Sequence, residues 1–118
     1  MSDAEVSNDV RGQLLQLCRS RRTRTAVFTR ARPTHWAPGE VRHPDTGEAF
    51  TQDGAWEFVA AQIAGGVAIE AIALDKPPGK TGYVIKLQGF ENDSIYIKLQ
   101  LGSGVVVGRS FHVSTQSK

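Results

Sequence analysis

The chain has 118 residues but only one cysteine, one methionine, two tryptophans and two tyrosines. A lone Cys18 cannot close an internal disulfide, so a small disulfide-built secreted fold is excluded. No apolar run approaches the ~20 residues that span a bilayer. The opening stretch MSDAEVSNDV is acidic and polar, unlike a secretory leader. The expectation is a cytoplasmic protein with no membrane partner. His35 and His43 lack metal-ligand spacing and have no cysteine beside them, so neither a metal nor another cofactor is expected. A nucleotide loop is missing too. Gly79-Lys80-Thr81 would end a phosphate-binding motif, but Leu74 stands where its first glycine belongs, and a strand rather than a helix follows.

A strong excess of one charge is also absent, the formal net charge being +2. The distribution is uneven. Met1 to Arg42 carries eight arginines and four acids, a balance of +4, whereas the remainder has six bases and eight acids, a balance of −2. The N-terminal segment RSRRTRTAVFTRAR is therefore either a solvated basic face or a surface for phosphates or carboxylates, which the arginine fork suits. Arg22 and Arg24 are its candidate contacts to a polyanion.

What is present fits one domain over residues 1–118, with 40% hydrophobic and 22% charged residues. Residues 1–50 read as an N-terminal helix, a strand and a long loop; residues 51–118 read as a helix plus an antiparallel meander. Val6, Val10, Leu14 and Leu17 line one face of a helix over about Ala4–Ser20, with Asp3 as cap and Cys18 as a small core residue. The alternation in TRTAVFTRA predicts a strand. RPTHWAPGEVRHPDTGEAFT, with its proline turns, predicts a long irregular loop. TQDGAWEFVAAQIAGG predicts a second helix, capped by Asp53, anchored by Trp56 and stopped at Gly65. VAIEAIALD fits a strand or a turn of helix; a strand ending at Leu74 leaves DKPPGKTGY as the turn into YVIKLQ. IYIKLQL and VVVGRSFHV follow, joined at Gly102-Ser103-Gly104. Sequential strands with short connections usually pair. The fold class is thus α+β: two helices packed on one face of a 3–5-stranded antiparallel sheet.

The last hairpin holds the chemistry. If its turn has three residues, Leu101 opposes Val105 and Tyr96 opposes Ser110. Alternation then puts Ile95, Ile97, Leu99, Leu101, Val105, Val107 and Phe111 on one face. Tyr96, Lys98, Gln100, Ser110 and His112 share the other, joined by Lys86 and Gln88 of the neighbouring strand. Arg109 breaks the pattern: strict alternation sends it to the core, and a bulge at Gly108 would turn it toward Lys98. One wet face is normal for an antiparallel sheet. This one combines lysine, arginine, imidazole and hydroxyls without a carboxylate, a mix suited to a phosphate.

With helices first and such a sheet last, the chain resembles the RelE/MqsR-like ribonuclease toxins of bacterial type II toxin–antitoxin systems. The likeness is closest in SIYIKLQLGSGVVVGRSFHVS, which is similar to the strand–turn–strand ending of MqsR-type toxins. The resemblance implies a RelE/barnase-like fold, a metal-independent endoribonuclease activity, RNA as substrate and a protein antitoxin as partner. A homodimer through an exposed sheet edge is a further option. The implied reaction is attack of the RNA 2′-hydroxyl on the adjacent phosphorus. It needs a base, an acid and cations for the charge developing on phosphate oxygens. Imidazole titrates near ~6.5, which suits His112 for proton transfer. Lys98 and Arg109 would stabilise the transition state; Tyr96, Gln100 and Ser110 would orient substrate, and Trp36 or Tyr83 could stack a base. The alternative is a non-catalytic RNA- or protein-binding module of the same fold.

Overall fold

The computed structural model describes residues 6–27, 34–74 and 79–114. Two α-helices and a six-stranded mixed sheet make it an α+β structure. The helices are α1 (Asn8–Cys18) and α2 (Gln52–Ala64). The strands are β1 (Arg24–Thr25), β2 (His35–Trp36), β3 (Glu70–Ala73), β4 (Thr81–Gln88), β5 (Ser94–Leu101) and β6 (Val106–Val113).

Helix α1 starts later than its periodicity suggests. Ser7 is the cap, its Oγ accepting from the Val10 N–H, while Asp3 and the first expected turn lie outside the described residues. Leu14 and Cys18 are fully buried, and Val6, Val10, Leu15 and Leu17 pack at the margin of the core. Helix α2 is capped by Thr51, whose Oγ1 accepts from the Gly54 N–H at 2.9 Å. Thr51 outcompetes the expected Asp53 because it stands one position outside the helix. Asp53, in the first turn, is instead engaged by two arginines. Trp56, Val59, Ala60 and Ile63 meet Ile85, Ile95, Ile97, Leu99, Val106 and Phe111 in one core, so both helices cover the same face of the sheet.

The sheet is larger than the expected three to five strands, and it is not purely antiparallel. Its order is β1-β6-β5-β4-β3, with β2 also on β6. Strands β3 to β6 form the expected antiparallel meander. Strands β1 and β2 both run parallel to β6. β1 falls near the start of the strand expected from TRTAVFTRA, whereas β2, two residues within the expected loop, is too short to leave a periodic signature. Backbone hydrogen bonds fix them instead: the Val106 N–H donates to the Thr23 carbonyl at 2.8 Å, and the Ala37 N–H to the Phe111 carbonyl at 2.9 Å. The second half of the expected strand, from Phe28 onward, lies outside the described residues.

The expected irregular loop is also structured where described. After β2, Pro38–Glu40 forms a 3-10 turn, and Arg42 bridges Ala49 across a tight reversal. His43 N–H donates to the Glu48 carbonyl at 2.7 Å, and Gly47 N–H to the His43 carbonyl at 2.8 Å. Trp36 is not available to a nucleobase. It stacks on Trp56 at 4.5 Å between ring centroids and leans on Phe111 at 5.3 Å. Tyr83 pairs with Leu99 and packs at the margin of the same core.

Candidate functional site

The β5–β6 ribbon carries two departures from simple alternation. Its turn has four residues, Gly102 to Val105, closed by the Gly102 N–H to Val105 carbonyl bond at 2.8 Å, with Gly104 at φ +74. Leu101 therefore pairs with Val106, one position off the three-residue register. A bulge follows: Leu99 pairs with Gly108 and Lys98 with Ser110, leaving Arg109 as the extra residue. The bulge shifts the register by one more position. Ser110, Phe111 and His112 thus return to the faces that alternation assigned them, while Val107 moves to the outer face opposite Gln100.

The outer face, away from the helices, then collects most of the expected set. Lys98 lies opposite Ser110, and Tyr96 opposite His112. Lys86 lies opposite Tyr96 on the other side, and Gly82 opposite Gln100. The Tyr96 and His112 rings stack at 5.4 Å between centroids, 23° from parallel. Arg109 is turned outward, and its Nη1 donates to Gln100 Oε1 at 2.7 Å. That bond fixes the guanidinium toward the β5 side of the ribbon.

This face is neither uniformly wet nor free of carboxylates. Gln100, Arg109 and Ser110 are only 5–6% exposed, and Val84 and Val107 are buried beside them. Tyr96, Lys98 and His112 are half-buried, and Lys86 is exposed. Glu70 corrects the expectation that no acid shares the face: it pairs with Val84, which itself pairs with Lys98. Burial, and then the negative charge of Glu70, raise the Tyr96 pKa above its usual 10.0. Tyr96 therefore stands as a hydroxyl donor at neutral pH rather than as a phenolate base.

Two expected contacts lie elsewhere. Arg22 is exposed in the turn after α1. Arg24 works on the helix side of the sheet, where its Nη1 donates to the Cys18 carbonyl and its Nη2 to Asp53 Oδ1, both at 2.8 Å. Its guanidinium also sits 5.9 Å from the Trp56 ring centroid. The arginine-rich segment thus contributes a structural clamp through Arg24. Beside it, Arg19, Arg21 and Glu57 border an open groove of about 400 Å³. Cys18, at the floor of that groove, has its thiol pushed up from the usual 9.0 to about 12 by burial, against a smaller opposing pull from Arg24. It is a core thiol, not a nucleophile.

One imidazole of the outer face escaped the sequence reading. His35, on β2, pairs with Ser110 and stacks on His112 at 4.3 Å between centroids, 19° from parallel. The only sequence signal was the polar–aromatic alternation of His35 and Trp36, which is too short to separate a strand from a loop. Among the described residues no group of three metal-ligating side chains converges, and none of the helices there is long and apolar enough to cross a membrane. Compared with protein-family models, with curated proteins and with solved structures, the chain matches none.

Proposed function

We propose that this chain is a metal-independent endoribonuclease, similar in kind and fold to the RelE/MqsR-like toxins, that cleaves RNA laid against the outer face of the β5–β6 ribbon. The observation that carries the proposal is the pairing of Lys98 with Ser110 and of Tyr96 with His112 on one side of the sheet. A cation, two hydroxyls and an imidazole are thereby held on rigid strands within two adjacent rungs. His112 transfers the 2′-hydroxyl proton, and the 2′-oxygen attacks phosphorus. Lys98 and Arg109 stabilise the charge that builds on the phosphate oxygens. The phosphorus–5′-oxygen bond breaks and the departing oxygen takes up a proton, giving a 2′,3′-cyclic phosphate and a 5′-hydroxyl. Tyr96, kept protonated, donates to the phosphate, while Ser110 and Gln100 set the orientation of Lys98 and Arg109. The partners in this reading are RNA and a protein antitoxin, in the cytoplasm.

The test is cleavage of RNA by purified protein in EDTA, with end-group analysis of the products. Lys98→Ala and His112→Ala should each lower the rate by ~100-fold or more. Undiminished cleavage by both variants removes this mechanism. Induced expression should arrest growth, and a neighbouring antitoxin gene should relieve it.

One observation favours a second reading. Arg109 is almost fully buried and already bonded to Gln100, so using it on a phosphate requires the ribbon to loosen. A binding module that keeps this arrangement static would bind RNA or protein without cutting. RNA affinity that falls steeply with salt, together with no cleavage, would mark an RNA-binding module.

A further inference from the structure

We infer that His35 is the second proton-transfer group of the cleavage reaction, acting as general acid to His112 as general base. This assignment rests on the nuclease reading above and adds a catalytic residue to it. The in-line reaction needs two proton carriers, one for the attacking 2′-oxygen and one for the departing 5′-oxygen. The outer face offers two imidazoles, and they are in contact: His35 from β2 and His112 from β6, stacked at 4.3 Å and 19° from parallel. A stack this close holds the two rings side by side at one place on the face, where a single phosphate would meet both.

The hydrogen-bonding of His112 divides the roles. Its Nδ1 lies 3.0 Å from the Val113 carbonyl oxygen. A carbonyl only accepts, so Nδ1 carries a proton and the neutral ring keeps its lone pair on Nε2. That nitrogen is the base: it takes the 2′-hydroxyl proton as the 2′-oxygen–phosphorus bond forms. His35 is exposed on the short β2 and meets solvent, where it is reloaded with a proton. As imidazolium it gives that proton to the 5′-oxygen as the phosphorus–oxygen bond breaks. At the end His112 holds one more proton and His35 one fewer, and exchange with water resets the pair. Among the described residues the other titratable or charged groups sharing the face are Glu70 of β3, Lys86 of β4, Tyr96 and Lys98 of β5, and Arg109 of the β6 bulge. Tyr96 stays a neutral donor, and the lysines and Arg109 are cations. Glu70 reaches the face from the far edge strand, with β4, β5 and β6 between it and β2.

The leaving group separates the two roles. A nucleoside 3′-(4-nitrophenyl) phosphate expels nitrophenolate without protonation, whereas RNA must protonate its 5′-oxygen. His35→Ala should cut RNA cleavage by ~100-fold yet stay within about fivefold of wild type on the nitrophenyl ester, while His112→Ala loses both. The wild-type pH–rate profile on RNA should fall at high pH, and His35→Ala should lose that fall. Equal losses by His35→Ala on both substrates, or wild-type RNA cleavage by it while His112→Ala is inactive, overturn the assignment and leave the nuclease reading standing. Absence of cleavage by the wild-type protein on any RNA removes both. Circular dichroism melts check the fold; His35→Gln, which keeps the side chain polar, supplies the same comparison should the alanine variant melt early.

Discussion

Trp36 lies against Gly108 so closely that a Cβ built on the glycine would stand 2.5 Å from the indole Cε3 and Cζ3 atoms. The missing side chain lets β2 dock its tryptophan on the core face of β6. The same two-residue strand holds His35 against His112 on the opposite face.

Gly108→Ala should therefore cost about 1–3 kcal/mol, as overpacking does in a close-packed core, and should dislodge β2. Urea denaturation gives the stability loss. On the nuclease reading, RNA cleavage falls further than the lost stability explains, because His35 moves with Trp36.

Arg24 and Arg21 share Asp53 but differ in worth. The Arg24 side chain is 7% exposed and also bonds the Cys18 carbonyl, whereas that of Arg21 is 80% exposed. Arg24→Ala should lose about 2 kcal/mol, mostly through the orphaned carbonyl and the uncovered Trp56. Arg21→Ala should change stability by less than ~0.5 kcal/mol. Thermal unfolding of the two variants side by side checks the contrast.

Cys18 makes stability fall at alkaline pH. Burial lifts its folded pKa from 9.0 to about 12, so above pH 9 the unfolded chain releases a proton that the folded chain keeps. The unfolded state then binds fewer protons, and unfolding becomes easier as pH rises. The contribution is whole below pH 9 and is lost progressively toward pH 12. Urea midpoints from pH 8 upward should decline more steeply for wild type than for Cys18→Ala. The Tyr96 shift acts in the same direction above its usual 10.0, so Tyr96→Phe makes the right background for the comparison.

Tyr96→Phe keeps the ring against His112 and removes only the hydroxyl. Stability at neutral pH should change by less than ~1 kcal/mol. On the nuclease reading, RNA cleavage should drop about tenfold, the loss of one donor to the charged phosphate. Steady-state rates with one RNA substrate, alongside circular dichroism melts, separate the two effects.

Both helices and strands β4, β5 and β6 were legible because each repeats its apolar residues for two turns or more, or over several alternations; the four-residue β3 was readable as a strand only through the turn that follows it. The faces of Ser110, Phe111 and His112 were legible for a different reason. The four-residue turn and the Arg109 bulge each move the register by one, and the two displacements restore parity beyond the bulge. Between them Val107 is flipped, and nothing in GSGVVVGRS marks the difference. The bulge itself was readable as an option from Gly108 next to a misplaced arginine. β1 was legible as a strand from the alternation in TRTAVFTRA, but its parallel pairing was not, nor were β2 and the place of His35, since two residues carry no period and the partner lies near the other end of the chain. Arg24 was read by charge alone, whereas the fold uses its reach to a carbonyl and an aspartate.

The parallel docking of β1 and β2 on β6 has a kinetic consequence. Arg24 finds Val106, and His35 finds Ser110, only after nearly the whole described chain has been looped between them. The β3–β6 meander forms from neighbours in sequence, while these two junctions need long-range closure, the slow kind of contact. In refolding experiments the meander should organise early, and the imidazole pair should be the last part to assemble.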